Sequence, residues 1–330
     1  MLDATDLAAS QPAPLPAPGR TVAPAPTSLP LPAASRAPTH IPTVAPAAPA
    51  PATATSTASA PLPPDHFWLS RPIGADGVYY VDASYRYGDT QNGLRAPHHG
   101  VEFQNPQGTP VLAVAPATVV VAGKDWTEMY GPTLFFYGGL VVLQLDQSYG
   151  GQPVFVLYAH LSEVSVQVGQ AVQPGEVLGR VGGTGVALGP HLHLEVRIGR
   201  DDYVSTRNPE LWLQPLAYNG TRWGVIAARV TDKQGNLLPG VGVTVRSLQI
   251  RFDNPVSKYA FTYAAETLNG DDVLRENAVI SDLPPGTYEV SVNTTTLYRQ
   301  TVTVESGAVT RVEFAVNPPP PPTTAPTPTP

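Results

Sequence analysis

The chain has 330 residues and a formal net charge of −7. It contains no cysteine, which excludes disulfides and thiolate chemistry. No basic cluster interrupts this acidic balance, which argues against a nucleic-acid partner. The longest nearly apolar run, residues 111–123, is too short to span a bilayer and contains a proline, so we expect buried strands there and no transmembrane segment.

Proline-rich segments occupy both ends of the chain. Residues 1–64 hold 16 of the 39 prolines, and residues 317–330 hold another 8. The remainder of these segments is largely Ala, Thr and Ser, which cannot bury enough apolar surface to offset the entropy of ordering. We therefore expect a disordered Pro/Ala/Thr-rich stalk over 1–64 and a disordered Pro/Thr-rich tail over 317–330.

Residues 65–216 alternate short runs of β-forming residues with turn signals. LVVLQLD (140–146) and PVFVLYAHL (153–161) flank QSYGG, which is typical of a hairpin connection. HLHLEVRI (191–198) is a further strand, and NPELWL (208–213) predicts a short closing turn or helix. The pattern predicts an all-β domain.

A second β block begins near Trp223. Strands around a KQGN turn are followed, after an insertion at 246–276, by three or four more alternating strands. The spacing predicts a small β-sandwich over 217–316, of the size of an immunoglobulin-like domain. The block contains no histidine, and its acids have the pattern of turn and surface residues. We therefore expect a structural or adhesive module.

The histidines are concentrated in the first β domain. Five of the seven lie there, at positions 98, 99, 160, 191 and 193, whereas His40 in the stalk and His66 at its end are interpreted as incidental. Residues two apart on a strand share a face, so His191 and His193 project together. Taken alone, this pair is equally compatible with a surface and with a functional role.

The stretch HHGVE at 98–102 obeys the same rule. If it is extended, His98, Gly100 and Glu102 share one face and His99 lies on the other. Gly100 removes a side chain where a ligand or a neighbouring backbone must approach. Imidazole and carboxylate together suit zinc, and a third ligand from His193 completes a site with an open position for water.

Two histidines, His160 and His191, remain once three ligands are assigned. A lone histidine at the end of a buried strand, such as His160, is more often a core or edge residue than a catalytic one. A zinc hydrolase, however, uses three ligands and one or two groups that move protons or stabilise an oxyanion. Glu195 on the same strand either orients one of the histidines or forms a surface salt bridge.

Several ordered motifs resemble the lysostaphin-type (LytM-like) zinc metallopeptidase domain, whose fold is the duplicated hybrid motif. They are HHGVEF, GTPVLAVAPATVV, YAHLSEVSVQVGQAVQPGEVLGRVGGTG and GPHLHLEVR, and the resemblance runs through nearly all of 85–213. It implies a zinc cofactor, the metal ligands His98, Glu102 and His193, and the catalytic residues His160 and His191. It also implies a metalloendopeptidase that cleaves peptide bonds of bacterial peptidoglycan.

Glu102 departs from this family, which has aspartate in the corresponding HxGxD motif. Glutamate adds one methylene, so the carboxylate reaches further and its distance or mode of coordination can differ. A second function therefore stays open, that of a weakly active or inactive binding or regulatory protein of the cell envelope. A third is a surface adhesin whose zinc is only structural.

The second β block resembles carboxypeptidase regulatory-like (transthyretin-like) modules through VIAARVTDKQGNLLPGVGVTV and LPPGTYEVSV. That resemblance implies a fold without an activity, and binding of cell-surface material is one expectation for it. The opening MLDATDLAAS has an acidic lead and no hydrophobic stretch, so we do not expect it to act as a secretory signal. We nevertheless expect an extracellular or cell-envelope location, with an export segment upstream of the sequence given.

Overall fold

The computed structural model of the chain describes residues 66–249 and 256–319. The predicted stalk and most of the predicted tail lie outside these residues, so their disorder stays a prediction. The described residues form β-strands and two short 3-10 helices with no α-helix, which confirms the all-β fold class. Within the same residues, no helix is long and apolar enough to cross a membrane.

The first ten strands form two antiparallel sheets. They are β1 (Val101–Gln104), β2 (Pro110–Leu112), β3 (Ala117–Lys124), β4 (Gly139–Leu145), β5 (Val154–Leu161), β6 (Glu163–Val164), β7 (Ala171–Val172), β8 (Val177–Arg180), β9 (His191–Ile198) and β10 (Thr206–Arg207). The main sheet has the order β1-β9-β5-β4-β3-β7 with β10 paired to β9, and β2-β8-β6 form a smaller sheet. The 3-10 helices are Tyr203–Ser205 and Pro209–Leu211.

The main sheet is covered on both faces. One face contributes Val156, Tyr158, Leu192 and Leu194 to a large apolar core. The opposite face carries a smaller cluster that includes Leu157 and Ala159. Alternation along β5 and β9 therefore separates a fully apolar face from a face on which polar side chains can be placed.

The remaining strands build a hairpin and a β-sandwich. They are β11 (Ala217–Tyr218), β12 (Thr221–Arg222), β13 (Gly224–Thr231), β14 (Gly242–Ser247), β15 (Ser257–Phe261), β16 (Ala278–Leu283), β17 (Gly286–Asn293), β18 (Leu297–Val304) and β19 (Val309–Ala315). The sandwich pairs a sheet β16-β13-β19 with a sheet β15-β14-β17-β18. Strands β13 and β19 are parallel, and β15 arises within the predicted insertion. The likeness of this sandwich to a particular family stays a prediction.

The sandwich and the main sheet share an apolar core. Val225, Val279 and Val309 of the sandwich lie in the same buried cluster as Trp212 and Leu213. A division of the chain at residue 216 therefore separates elements that pack against each other. The boundaries of the predicted domains stay a proposal.

The expectation that acids of the second block lie on turns and the surface is wrong for three of them. Asp271, Glu276 and Asp282 are 1%, 1% and 4% exposed. Their carboxylates accept hydrogen bonds, for example from the Tyr149 hydroxyl to Asp271 at 2.9 Å. The prediction was wrong for Asp271 because the residues that bury it belong to the first β block and are distant in the sequence.

Candidate metal centre and active-site cleft

The register between β1 and β9 gathers the polar residues on one face. Glu102 lies opposite His193, and Gln104 lies opposite His191. Directly opposed residues of an antiparallel pair project from the same face with their Cβ atoms about 4.5–5.5 Å apart. The prediction that His191 and His193 project together, with Leu192 behind them in the core, is confirmed.

Three side chains on this side of the sheet approach closely enough to bind one metal ion. His98, Glu102 and His193 each offer a ligand atom, and these atoms lie within 4.8 Å of one another. His98 Nε2 is 3.1 Å from His193 Nδ1 and 3.8 Å from Glu102 Oε1. Two ligands bonded tetrahedrally to zinc at about 2.0–2.2 Å lie about 3.3–3.6 Å apart, so this donor set fits zinc.

In His98 and His193, the ring nitrogen that points away from the metal group donates a hydrogen bond. The other ring nitrogen therefore carries no proton. His98 Nδ1 lies 3.1 Å from the Tyr85 carbonyl and 3.3 Å from the Arg86 carbonyl, so it carries the proton. In His193 the roles are reversed, because Nε2 faces Glu195 Oε1 at 3.1 Å. Each ring therefore presents an unprotonated nitrogen to the other and to Glu102.

Glu195 holds the His193 ring through a buried network. It also accepts hydrogen bonds from the Tyr137 hydroxyl at 2.5 Å and from Arg197 Nε at 2.8 Å. Burial acts to raise the pKa of Glu195, but the Arg197 guanidinium and the hydrogen bond from His193 hold that pKa below its ordinary value. A surface salt bridge is excluded, because Glu195 and Arg197 are both 0% exposed.

Gly100 permits the close approach of β9. A Cβ atom at this position would lie 2.4 Å from the Leu194 carbonyl oxygen and 2.8 Å from His193 Nε2. Real Cβ atoms do not make such contacts with backbone, so a side chain here would displace β9 or the His193 ring. The prediction that Gly100 makes room for a neighbouring backbone is confirmed.

His160 reaches the cleft because its backbone is irregular. Alternation along β5 would place it on the core face with Val156 and Tyr158. Its ring instead lies 4.8 Å from His191 and 5.6 Å from His193, measured between centroids. The residue has φ 63°, a left-handed conformation that costs a non-glycine residue roughly 1–2 kcal/mol. Strain of this kind is concentrated at functional sites.

His160 and His191 are held as neutral imidazoles. Their Nδ1 atoms lie 2.8 Å from the Thr184 carbonyl and 2.9 Å from the Gly189 carbonyl. Burial, reinforced by the neighbouring His193 and His191 rings, lowers the pKa of His160 to about 3. Burial also lowers the pKa of His191, against the opposing effect of Glu102. Both rings keep an Nε2 that can accept a proton.

His99 and His66, neither of which was assigned to the predicted site, behave differently. His99 stacks on Tyr203 with centroids 3.6 Å apart and lies outside the three-residue metal group. His66 is not incidental: it is 8% exposed and places Nε2 3.4 Å from Asp271 Oδ2 of the sandwich. Its role is structural, and the sequence could not show it because the partner lies some 200 residues away.

The predicted site residues line one cleft of about 770 Å³. Its walls include Tyr85, Phe136, Leu188 and Tyr203, and Leu188 is 87% exposed. A cleft of this volume accommodates a small-molecule or short peptide ligand.

The family of this domain follows from its sequence. A sequence profile described as Peptidase family M23 matches residues 96–205, which include all five predicted site residues. Residues 96–205 are a domain of peptidase family M23. Peptidases of this family are zinc-dependent hydrolases that act on peptide bonds, and the M23 domain here carries a donor set that fits zinc.

The M23 domain is similar to several curated proteins. Glycyl-glycine endopeptidase ALE-1 of Staphylococcus capitis is 31% identical over 156 residues, which is 46% of this chain and 40% of the relative. DD-carboxypeptidase/endopeptidase Mpg of Neisseria gonorrhoeae is 40% identical over 101 residues, 31% of this chain and 20% of the relative. Peptidoglycan DD-endopeptidase ShyA of Vibrio cholerae is 33% identical over 126 residues, 36% of this chain and 26% of the relative. The chain thus spans less than half the length of these relatives.

Proposed function

We propose that the chain is a zinc-dependent metalloendopeptidase that cleaves peptide bonds of bacterial peptidoglycan outside the cell or in the cell envelope. The observation that carries the proposal is one cleft in which the M23 domain places a three-residue metal group and two further neutral histidines. The relatives named as endopeptidases, one of them a peptidoglycan endopeptidase, support the substrate class.

In this proposal the metal is held by His98 Nε2, Glu102 Oε1 and His193 Nδ1. Zinc held there would polarise the peptide carbonyl as a Lewis acid and would lower the pKa of a water molecule to about 7. Glu195 keeps the proton of His193 on Nε2, so that Nδ1 stays free to bind.

His160 and His191 accept and donate the protons that move during peptide hydrolysis. The backbone carbonyls at their Nδ1 atoms leave Nε2 as the atom that accepts a proton from the attacking water. Once protonated, the same nitrogen stabilises negative charge on the carbonyl oxygen and delivers a proton to the departing amine. The two rings lie 4.8 Å apart between centroids, close enough to act on one peptide bond.

Release of new amino termini tests this function. The zinc-loaded full chain is incubated with purified peptidoglycan beside a His191→Ala variant, with His66→Gln as a control that alters a buried histidine outside the cleft. We expect the wild type and the control to release amino termini and the His191→Ala rate to fall about 10²–10⁴-fold. A zinc-loaded wild type that releases none would contradict the proposal and favour the binding or regulatory alternative.

A further inference from the structure

We propose that the β-sandwich is a positioning element of the metal centre. Through Tyr263 and its neighbours it holds the backbone segment 85–89, and this segment orients the ring of His98. The proposal rests on the proposed function, in which His98 binds the metal. It assigns to the sandwich a part in building the site, in place of a separate binding activity.

Segment 85–89 contacts both the ring and the backbone of His98. His98 Nδ1 lies within 3.3 Å of the Tyr85 and Arg86 carbonyls, and the Tyr85 ring stacks on the imidazole at 4.0 Å. The His98 amide donates to the Asp89 carbonyl at 3.1 Å, and the Gly88 amide donates to the His98 carbonyl at 2.7 Å. Both the ring and the backbone of His98 therefore follow this segment.

The sandwich holds the middle of the segment by close packing. The Tyr263 ring lies at right angles to the Tyr87 ring, with centroids 5.0 Å apart. The ring also lies so close to Gly88 that a Cβ atom there would be 2.6 Å from Tyr263 Cδ1. The Tyr87 hydroxyl accepts a hydrogen bond from the Asn269 amide at 3.1 Å. Tyr87 and Tyr263 are 2% and 3% exposed, so neither ring can move without repacking.

A buried ion pair holds the preceding residue of the segment. Arg86 Nη1 donates to Glu210 Oε2, and the Ser281 amide of the sandwich donates to the same oxygen at 3.2 Å. Arg86 and Glu210 are 5% and 1% exposed, so loss of either partner would leave a buried charge uncompensated. The sandwich therefore restrains both Arg86 and Gly88, the residues on each side of Tyr87.

Tyr263 is itself fixed within the sandwich, which allows it to transmit a restraint. Its hydroxyl donates to Glu276 Oε1 at 2.8 Å, and its amide donates to the Asn277 carbonyl at 2.8 Å. Asn277 in turn donates to the carbonyl of Val230 on β13 at 3.0 Å. The contact to Gly88 is thus anchored to a central strand of the sandwich.

Three variants of the full chain test the proposal. Tyr263→Leu removes the ring against Gly88, Tyr263→Phe keeps that ring, and Tyr288→Leu removes an equally buried tyrosine from the sandwich core. Two properties are measured: amide hydrogen exchange of residues 85–99 in metal-free protein, and zinc affinity by competition with a chelator. Tyr87→Phe is added as a milder substitution, in case Tyr263→Leu does not fold, because it removes the hydroxyl that accepts from the Asn269 backbone amide.

We expect Tyr263→Leu to speed exchange over residues 85–99 and to weaken zinc binding about 10–100-fold, as loss of a supporting partner does at other metal sites. Tyr87→Phe should shift both properties in the same direction, and Tyr263→Phe, which keeps the ring and the backbone bond to Asn277, should stay close to wild type. Tyr288→Leu should lower the melting temperature while leaving both properties close to wild type.

Two outcomes would overturn the proposal. One is unchanged exchange and zinc affinity in both Tyr263→Leu and Tyr87→Phe. The other is an equal effect of Tyr288→Leu, which would indicate general destabilisation. If the wild type itself binds no zinc, the proposed function fails, and the exchange measurement alone then decides whether the sandwich holds segment 85–89.

Discussion

Glu102 on β1 lies directly opposite His193 on β9, and both side chains project from the same face of the main sheet. The ligand set therefore depends on strand register. A shift of one residue would turn Glu102 into the core and bring Val101 or Phe103 to the cleft. The packing of these two apolar side chains in the core fixes the register, and so it also fixes the site.

Glu195→Gln should weaken zinc binding while leaving the chain folded. The amide keeps the shape of the carboxylate, but it cannot hold the His193 Nε2 proton as strongly and it leaves Arg197 with less compensating charge. We expect a loss of zinc affinity of about 10–100-fold, measured by competition with a chelator. A variant that binds zinc as tightly as the wild type would show that Glu195 does not orient His193.

Gly100→Ala should destabilise the fold and weaken zinc binding together. The added methyl group would meet the Leu194 carbonyl and the His193 ring, and overpacking of this kind costs about 1–3 kcal/mol. Gly74→Ala is the matched control, because a Cβ atom there has no neighbour within 4 Å. Denaturant unfolding should place the control within about 0.5 kcal/mol of the wild type, and equal losses in the two variants would refute the steric argument.

His160→Ala should keep bound zinc and lose activity, with a fall in kcat of about 10²–10⁴-fold. Because position 160 has φ 63°, His160→Gly should be more stable than His160→Ala by about 1–2 kcal/mol. Thermal unfolding of the two variants checks the second prediction. If alanine is tolerated as well as glycine, the left-handed conformation at this position is wrong.

Glu276 should make stability depend on pH. Burial raises the pKa of its carboxyl to about 7, from an ordinary value of 4.5. The folded state therefore holds the proton more tightly, and this contribution to stability is complete below pH 4.5 and is lost as the pH rises through 7.

The Glu276→Gln variant isolates this effect. The free energy of unfolding of the wild type, relative to the variant, should fall by up to about 1.4 kcal/mol per pH unit between these two pKa values and then level off. Chemical unfolding at a series of pH values measures it. Parallel curves for the two proteins would contradict the raised pKa of Glu276.

Local periodicity was sufficient to predict the strands and the side of β9 that carries His191 and His193, because alternation depends only on neighbours along the chain. The proximity of His98 to His193 followed from the family resemblance, since it requires two distant strands to pair. Whether Glu195 orients a histidine or forms a surface salt bridge could be decided only from the fold. The fold surrounds Glu195 with Tyr137 and Arg197 and excludes water.

Two features had no signal in the pattern. Alternation would have turned His160 into the core, and only the left-handed backbone brings its ring to the cleft. The buried acids Asp271 and Glu276 looked like turn residues, because the partners that satisfy or bury them lie in distant parts of the chain. Local sequence patterns do not indicate contacts between residues that are far apart in the chain.

The central claim is that His98, Glu102 and His193 bind one zinc ion. The zinc content of the purified full chain, measured by elemental mass spectrometry after dialysis, tests it most directly, with His98→Ala, Glu102→Gln and His160→Ala measured in parallel. We predict one zinc per chain in the wild type and in His160→Ala, and almost none in the other two variants. A wild type without zinc, or full zinc content in His98→Ala, would contradict the account.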